Sequence, residues 1–169
     1  MVPYDLQGLI DSIGGKEAAE KRLDEMFRRL DASYGDEWFA SGNEPSFQIP
    51  WIYNWAGAPY KAQQVIRRIL NEQYSSRVNG LPGNDDLGSM GAWYVFASIG
   101  LFPEIPGVGG FSVNSPVFRK IVLHLPEGDV IIKGGDEKKE YIHSLSLDGK
   151  KMEGTWIDWS DLYLSLIHI

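Results

Sequence analysis

Two adjacent carboxylates in a loop of glycine, proline and asparagine form the densest concentration of possible chemistry in the chain: Gly80-Leu81-Pro82-Gly83-Asn84-Asp85-Asp86-Leu87-Gly88. The run that follows is apolar and reaches Gly100, with Pro103 beyond, so the spacing predicts a buried helix starting at the Asn84-Asp85-Asp86 cluster. Free N–H groups and the helix dipole favour negative charge at such an entry. An aspartate there is suited to act as a base or a ligand rather than as a proton donor. One residue of the cluster can be the N-cap. With Asn84 and Asp85 available for that, Asp86 is left over, facing a loop whose glycines let a ligand approach the backbone closely. The alternative is a plain helix cap with no further role.

A second polar segment, Ser41-Gly42-Asn43-Glu44-Pro45-Ser46-Phe47, runs into Pro50-Trp51-Ile52-Tyr53-Asn54-Trp55. Planar amide and carboxylate side chains beside indole rings suit a sugar, whose hydroxyl pairs they can bind and whose C–H face they can stack against. The competing reading is an aromatic loop packed between helices. Pro45 keeps Glu44 out of the helical region. Other chemistries find no footing. His124, His143 and His168 are too irregularly spaced for a metal site or triad and read as structural. No Gly-x-Ser-x-Gly elbow, phosphate loop or dinucleotide fingerprint is present. The absence of cysteine removes thiolate catalysis and disulfides.

The elements that would hold these segments change character once along the chain. Leu23, Met26, Phe27 and Leu30 repeat at helical spacing and predict an amphipathic helix over 16–30; a second starts near Pro59 and ends near Tyr74. Beyond Gly110 the period becomes two: 120–125, 130–132 and 141–147 read as strands. Asp148-Gly149 is a hairpin signal, with a partner strand expected around 151–156. The fold class is therefore α+β, helices first and a small antiparallel sheet after, divided at about residue 105 into 1–105 and 106–169. The Gly107–Gly110 cluster reads as the crossing between them. The helix beginning near residue 84 is apolar nearly all round, and helices of that kind want neighbours.

Length and charge narrow the partners. With 169 residues the chain is one domain or part of a larger one. Sixteen Lys and Arg against 23 Asp and Glu, with the basic residues scattered, leave no cationic stripe for a phosphate backbone, so nucleic acid is excluded as partner. No apolar run approaches the ~18 residues of a membrane span, so no membrane insertion is expected. The opening MVPYDLQGL lacks the order of a signal peptide.

Three motifs in order, Gly42-Asn43-Glu44-Pro45-Ser46, Trp55-Ala56-Gly57-Ala58-Pro59-Tyr60-Lys61-Ala62-Gln63 and Gly80 through Phe96, resemble the catalytic domain of glycoside hydrolase family 92. The connectors Gly100-Leu101-Phe102-Pro103 and Ser115-Pro116-Val117-Phe118 match as well, and the resemblance runs to about Trp159. It implies calcium-dependent, inverting α-mannosidase activity on mannose-containing glycans, a periplasmic or secreted location, and a fold in which residues 1–105 are an incomplete part of an (α/α)6 toroid preceded by a β-sandwich.

By the same resemblance Asp86 matches the general base. Asn84 stands where many members carry a second aspartate that assists it. Asn43 and Glu44 line the leaving-group subsite near the calcium, with Asp85 beside them on the substrate. An Asn at 43 in place of His argues against an α-1,2 linkage. The family's general acid lies in a Glu-Gly-Asn-x-Trp-Gln-like segment just before the stretch matching Val2-Pro3-Tyr4-Asp5. The expectation is thus a piece that needs the N-terminal part of the same polypeptide and is inactive alone. The ending Ser165 to Ile169 departs from the family pattern. A non-catalytic carbohydrate-binding module is the alternative function.

Overall fold

The computed structural model describes residues 4–33, 35–162 and 166–169. Val2, Pro3 and Ser165, which belong to the opening motif and the atypical ending, lie outside the described residues. Among the described residues five helices come first and two small sheets follow, with a sixth helix before the last strand, so the fold is mixed α+β.

Helix α1 (Leu6–Ser12) opens with the Asp5 carboxylate accepting from the Gly8 N–H at 2.9 Å. The periodicity reading passes it over because seven residues with only Leu6 and Ile10 buried are too short to show a stripe. Helix α2 (Lys16–Met26) ends earlier than expected, although Phe27 and Leu30 are buried. Its last carbonyls find partners elsewhere: the Phe39 N–H donates to Met26 and Arg68 Nη1 donates to Phe27 at 2.9 Å. Apolar spacing therefore continues past the helical backbone. Helix α3 (Ile52–Trp55) follows two 3₁₀ turns, Glu44–Ser46 and Ile49–Trp51; the extended residue before the first is Asn43, so Glu44 opens the turn instead of staying out of the helical region as Pro45 suggests. Helix α4 (Pro59–Glu72) starts on its proline and buries Ala62, Val65, Ile66, Ile69 and Leu70, as its spacing predicts.

Helix α5 departs from expectation in two ways. It spans Ser89–Ile99, not from residue 84, because Gly88 rather than the acidic cluster is its cap residue. It is also buried on one side only: Met90, Trp93 and Ala97 face the core, whereas Tyr94 and Val95 are 43% and 56% exposed. It ends where expected, on Gly100 in a left-handed conformation.

Strands β1 (Leu101–Phe102), β2 (Gly110–Val113), β3 (Lys120–Leu125), β4 (Gly128–Lys133), β5 (Ser146–Leu147), β6 (Lys150–Lys151) and β7 (Trp156–Asp158) follow, then α6 (Trp159–Leu162) and β8 (Leu166–His168). They form two sheets rather than the single antiparallel one expected: β1-β2-β7, and β3-β4-β8-β5-β6, in which β4 and β8 run parallel. The Asp148-Gly149 turn has positive φ at both residues, and it closes the pair Leu147 and Lys150 as expected. The strand expected over 141–147 shrinks to its last two residues. The segment before it is drawn off to α4, where Gln63 Oε1 accepts the Ile142 N–H. Residues 156–158 likewise pair with β2 instead of extending the hairpin.

Two cores result. One gathers α1–α5 around Trp51, Tyr53, Ile66 and Trp93; the other gathers strands of both sheets around Val113, Val130, Ile132, Ile157 and Ile167. Strand β1 belongs to both, since side chains alternate along a strand: Leu101 enters the second core and Phe102 the first. Arg67 on α4 ties the helices to the loops between strands. Its guanidinium lies within 3.1–3.4 Å of the Ser115, Pro116, Glu137 and Lys139 carbonyl oxygens and the Ser115 hydroxyl. Burial works against this charge and lowers the Arg67 pKa, while Glu140, Glu137 and Asp136 act in the opposite sense. Replacing Arg67 by Met leaves several carbonyls without a donor and is expected to cost about 2–4 kcal/mol of unfolding free energy in urea denaturation. Arg67→Lys should recover only part of that, because a compact ammonium cannot span the same set of acceptors.

Candidate functional site

The two polar segments singled out by sequence meet in space. Their meeting point is backbone on backbone: a Cβ on Gly42 would lie 2.5 Å from the Pro82 carbonyl oxygen, and one on Gly83 would lie 2.5 Å from that of Gly42. Neither glycine is needed for positive φ; both are needed for closeness. Two further ties hold the 42–47 segment to α5. The Trp93 indole donates to the Phe47 carbonyl at 3.0 Å. The Ser89 hydroxyl lies 3.3 Å from Glu44 Oε1 and 3.0 Å from the Asp85 carbonyl, and can donate to one at a time.

The acidic cluster divides its labour. Asp85 Oδ1 accepts the Gly91 N–H at 3.1 Å, and its carbonyl accepts the Met90 N–H, so Asp85 satisfies two first-turn N–H groups of α5 although Gly88 holds the N-cap position. Asp86 is solvent-exposed, and among the described residues no hydrogen bond or ion pair to its carboxylate is formed. Its backbone is unusual. Asp86, Leu87 and Gly88 have φ of 50°, 60° and 90°, three successive left-handed residues, two of them not glycine. Leucine in this region is disfavoured by roughly 1–2 kcal/mol, the kind of strain that gathers at functional turns. The left-handed run delays the helix to Ser89 and swings Asp86 out of the capping position.

The remaining candidates are placed as follows. Asn84 is exposed on the same loop, and Asn43 is exposed beside a groove of about 350 Å³ lined by Asp31, Ser41, Gln73 and Pro82 among others. Glu44 is exposed and reaches Ser89. Beneath the loop, Tyr74 stacks on Trp93 with centroids 5.7 Å apart; burial, aided by the Asp85 charge, pushes its phenol pKa up. The aromatic run 51–55 is core and not a sugar platform: Trp51 and Tyr53 are fully buried, and Trp51 stacks on Phe102 at 4.0 Å. Of the histidines, His124 is exposed and paired with Asp129, and His168 sits on β8. Ser89 escaped the sequence reading; the signal available was a hydroxyl three residues after Asp86 at the first turn of an apolar helix. No group of three or more His, Asp or Glu side chains arranged to hold a metal occurs among the described residues.

Comparison with known proteins adds the following. Residues 1–165 match the Glycosyl hydrolase family 92 catalytic domain. An uncharacterized secreted glycosidase from the fungus Arthroderma benhamiae is 32% identical over 162 residues, 92% of this chain and 20% of that protein. A family GH92 α-mannosidase from Bacteroides thetaiotaomicron superposes with a TM-score of 0.87 and 33% identity, covering 99% of this chain and 23% of that one. The same enzyme in complex with mannoimidazole gives 0.88. A family GH92 inverting mannosidase from the same bacterium gives 0.86 at 28% identity, covering 99% of this chain and 26% of that one. The chain thus spans about a fifth to a quarter of the length of these relatives.

The division of labour between neighbouring aspartates has a measurable signature. Asp85→Ala should lower unfolding free energy by about 0.5–2 kcal/mol through loss of the cap. Asp86→Asn, in an exposed side chain with nothing bonded to it and a residue type that tolerates left-handed backbone, should change it by less than about 0.5 kcal/mol. Gly83→Ala, which drives a methyl into the Gly42 carbonyl, should cost about 1–3 kcal/mol. Thermal or urea unfolding of the three variants checks all of these.

Proposed function

The chain belongs to glycosyl hydrolase family 92, and on that footing we propose that the protein serves the hydrolysis of terminal α-mannosidic bonds in mannose-containing glycans with inversion, Asp86 acting as general base. An inverting glycosidase needs one protonated carboxylic acid on the departing oxygen and one ionised carboxylate that takes a proton from water on the opposite face, roughly 6.5–9.5 Å away. The observation that carries the assignment is the contrast within the cluster: the Asp85 carboxylate is committed to the Gly91 N–H, whereas that of Asp86 is exposed and uncommitted. A base must be free to accept the proton it removes.

The other residues take supporting parts in this reading. Asn84 can hydrogen-bond to the water or to substrate but cannot share the negative charge. Glu44 and Asn43 offer acceptors and an amide to the hydroxyls of the departing sugar; the Gly42–Gly83 contact and the Ser89 hydroxyl hold Glu44 against the loop that carries Asp86. The helices of residues 1–105 are read as part of an (α/α)6 toroid, and 106–169 as the strands that pack on it. The protonating acid comes from the portion of the catalytic domain that this chain does not span, so the 169-residue chain alone is expected to turn over no substrate.

Calcium is the family's implied cofactor. Its shell needs six to eight oxygens, and no group of three acidic or histidine side chains gathers among the described residues. The side chains of the described residues do not gather such a shell by themselves, and no step above runs through the ion.

In an enzyme containing this chain together with the rest of the catalytic domain, Asp86→Asn should lower kcat on an aryl α-mannoside by about 10²–10⁴-fold with KM nearly unchanged. The first-formed sugar should be β-mannose, read by NMR before mutarotation. An unaltered rate in the variant, or α-mannose as first product, refutes the assignment.

A further inference from the structure

Among the described residues one carboxyl is withdrawn from water altogether. Glu104 follows β1 in Leu101-Phe102-Pro103-Glu104 and is 0% exposed, at the seam where the helical core meets the three-stranded sheet. Two donors converge on its Oε2: the Trp55 indole from α3, at 3.1 Å, and the Ser112 hydroxyl from β2 in a very short contact. Its other oxygen, Oε1, is buried with no partner. Such an arrangement suits a neutral acid. Oε2, as carbonyl oxygen, takes both donors, and a proton on Oε1 costs far less than an unsolvated negative charge there.

The surroundings offer that charge no compensation. Strands β1 and β2 and helix α3 carry no ionisable group beyond the Tyr53 phenol on α3. Strand β7 carries Asp158, which is exposed and accepts from the Trp156 indole at 2.8 Å. Trp156 in turn sits 6.4 Å from Trp55, and its ring lies against Gly110, so the seam is walled by two indoles. We propose that Glu104 is a proton-operated latch: its neutral carboxyl closes the seam between α3 and the β1–β2 pair, and loss of its proton opens that seam to water around Trp55. Burial pushes the Glu104 pKa up to about 7, against the pull of its two hydrogen bonds, which puts the release near neutrality. The latch stands on these contacts alone and holds whether or not Asp86 is a base.

The sign of the pH dependence follows. An unfolded chain releases this proton near the ordinary glutamate value, whereas the folded chain keeps it to about pH 7. Glu104 therefore favours the folded state fully below the unfolded pKa, and that contribution is lost as pH rises through the folded pKa, by about three-hundredfold in the folding equilibrium constant. Infrared pH-difference spectra of the 169-residue chain should show a protonated carboxyl C=O band that persists at pH 6, disappears by about pH 8 and is missing from Glu104→Gln. The melting temperature should fall from pH 5 to pH 8 in the wild type, and less steeply in Glu104→Gln. Ser112→Ala removes a hydrogen bond that favours the ionised form, so it should move the infrared midpoint to higher pH. A wild-type chain without that band at pH 6, a band that survives in Glu104→Gln, an equal melting slope in both proteins, or a Ser112→Ala midpoint that is unmoved or lower overturns the latch.

Discussion

Backbone meets backbone where residue 42 touches residues 82 and 83, and the candidate site depends on that contact. Two loops that carry the exposed carboxylates of Glu44 and Asp86 lie forty residues apart in the chain and have no helix or strand in common. A carbonyl 2.5 Å from where either glycine's Cβ would stand leaves no room for any side chain. The contact is short-ranged and unforgiving, which is what a site of fixed geometry needs. Ser89 and Trp93 then lock the same loop to the first turns of α5 through hydrogen bonds to Glu44 and Phe47.

Helix α5 transmits that placement to the rest of the molecule. Its first turn is capped by Asp85, and its last residue passes through Gly100 directly into β1, whose two side chains enter different cores. Buried polar groups fasten the same junction. Asn114 donates to the Ala97 carbonyl and accepts from the Trp51 indole, and Arg67 reaches four carbonyls from α4. Each of these groups would be costly to bury without its partners, so each admits one arrangement of helices against strands. Apolar contact is non-directional and could not select that arrangement alone.

The acidic loop shows how one short segment serves stability and reactivity together. A carboxylate that caps a helix is held by the N–H groups it satisfies; one that abstracts a proton must be free of them. The left-handed turn at Asp86, Leu87 and Gly88 separates these roles between neighbouring residues, at the cost of backbone strain in Leu87. Two aspartates in a regular helical entry would both face the same N–H groups. The strained turn gives each a different surrounding.

Periodicity and turn chemistry determined much of this protein locally. The amphipathic stripe of α4, its proline start, the Gly100 stop, strands β3 and β4 and the Asp148-Gly149 turn were all legible, because each rests on contacts between residues near in sequence. So were the family motifs around Asn43, Glu44 and Asp86. The end of α2 at Met26, the loss of most of the 141–147 strand to Gln63 and the parallel pairing of β8 with β4 were not legible, since a distant partner outcompeted the local preference in each case. The same holds for the buried carboxyl in Leu-Phe-Pro-Glu. The residue types determined what chemistry was available; the tertiary structure decided which groups were spent on hydrogen bonds and which were left free, because a donor, acceptor or dry surround brought from elsewhere in the chain is invisible to local spacing.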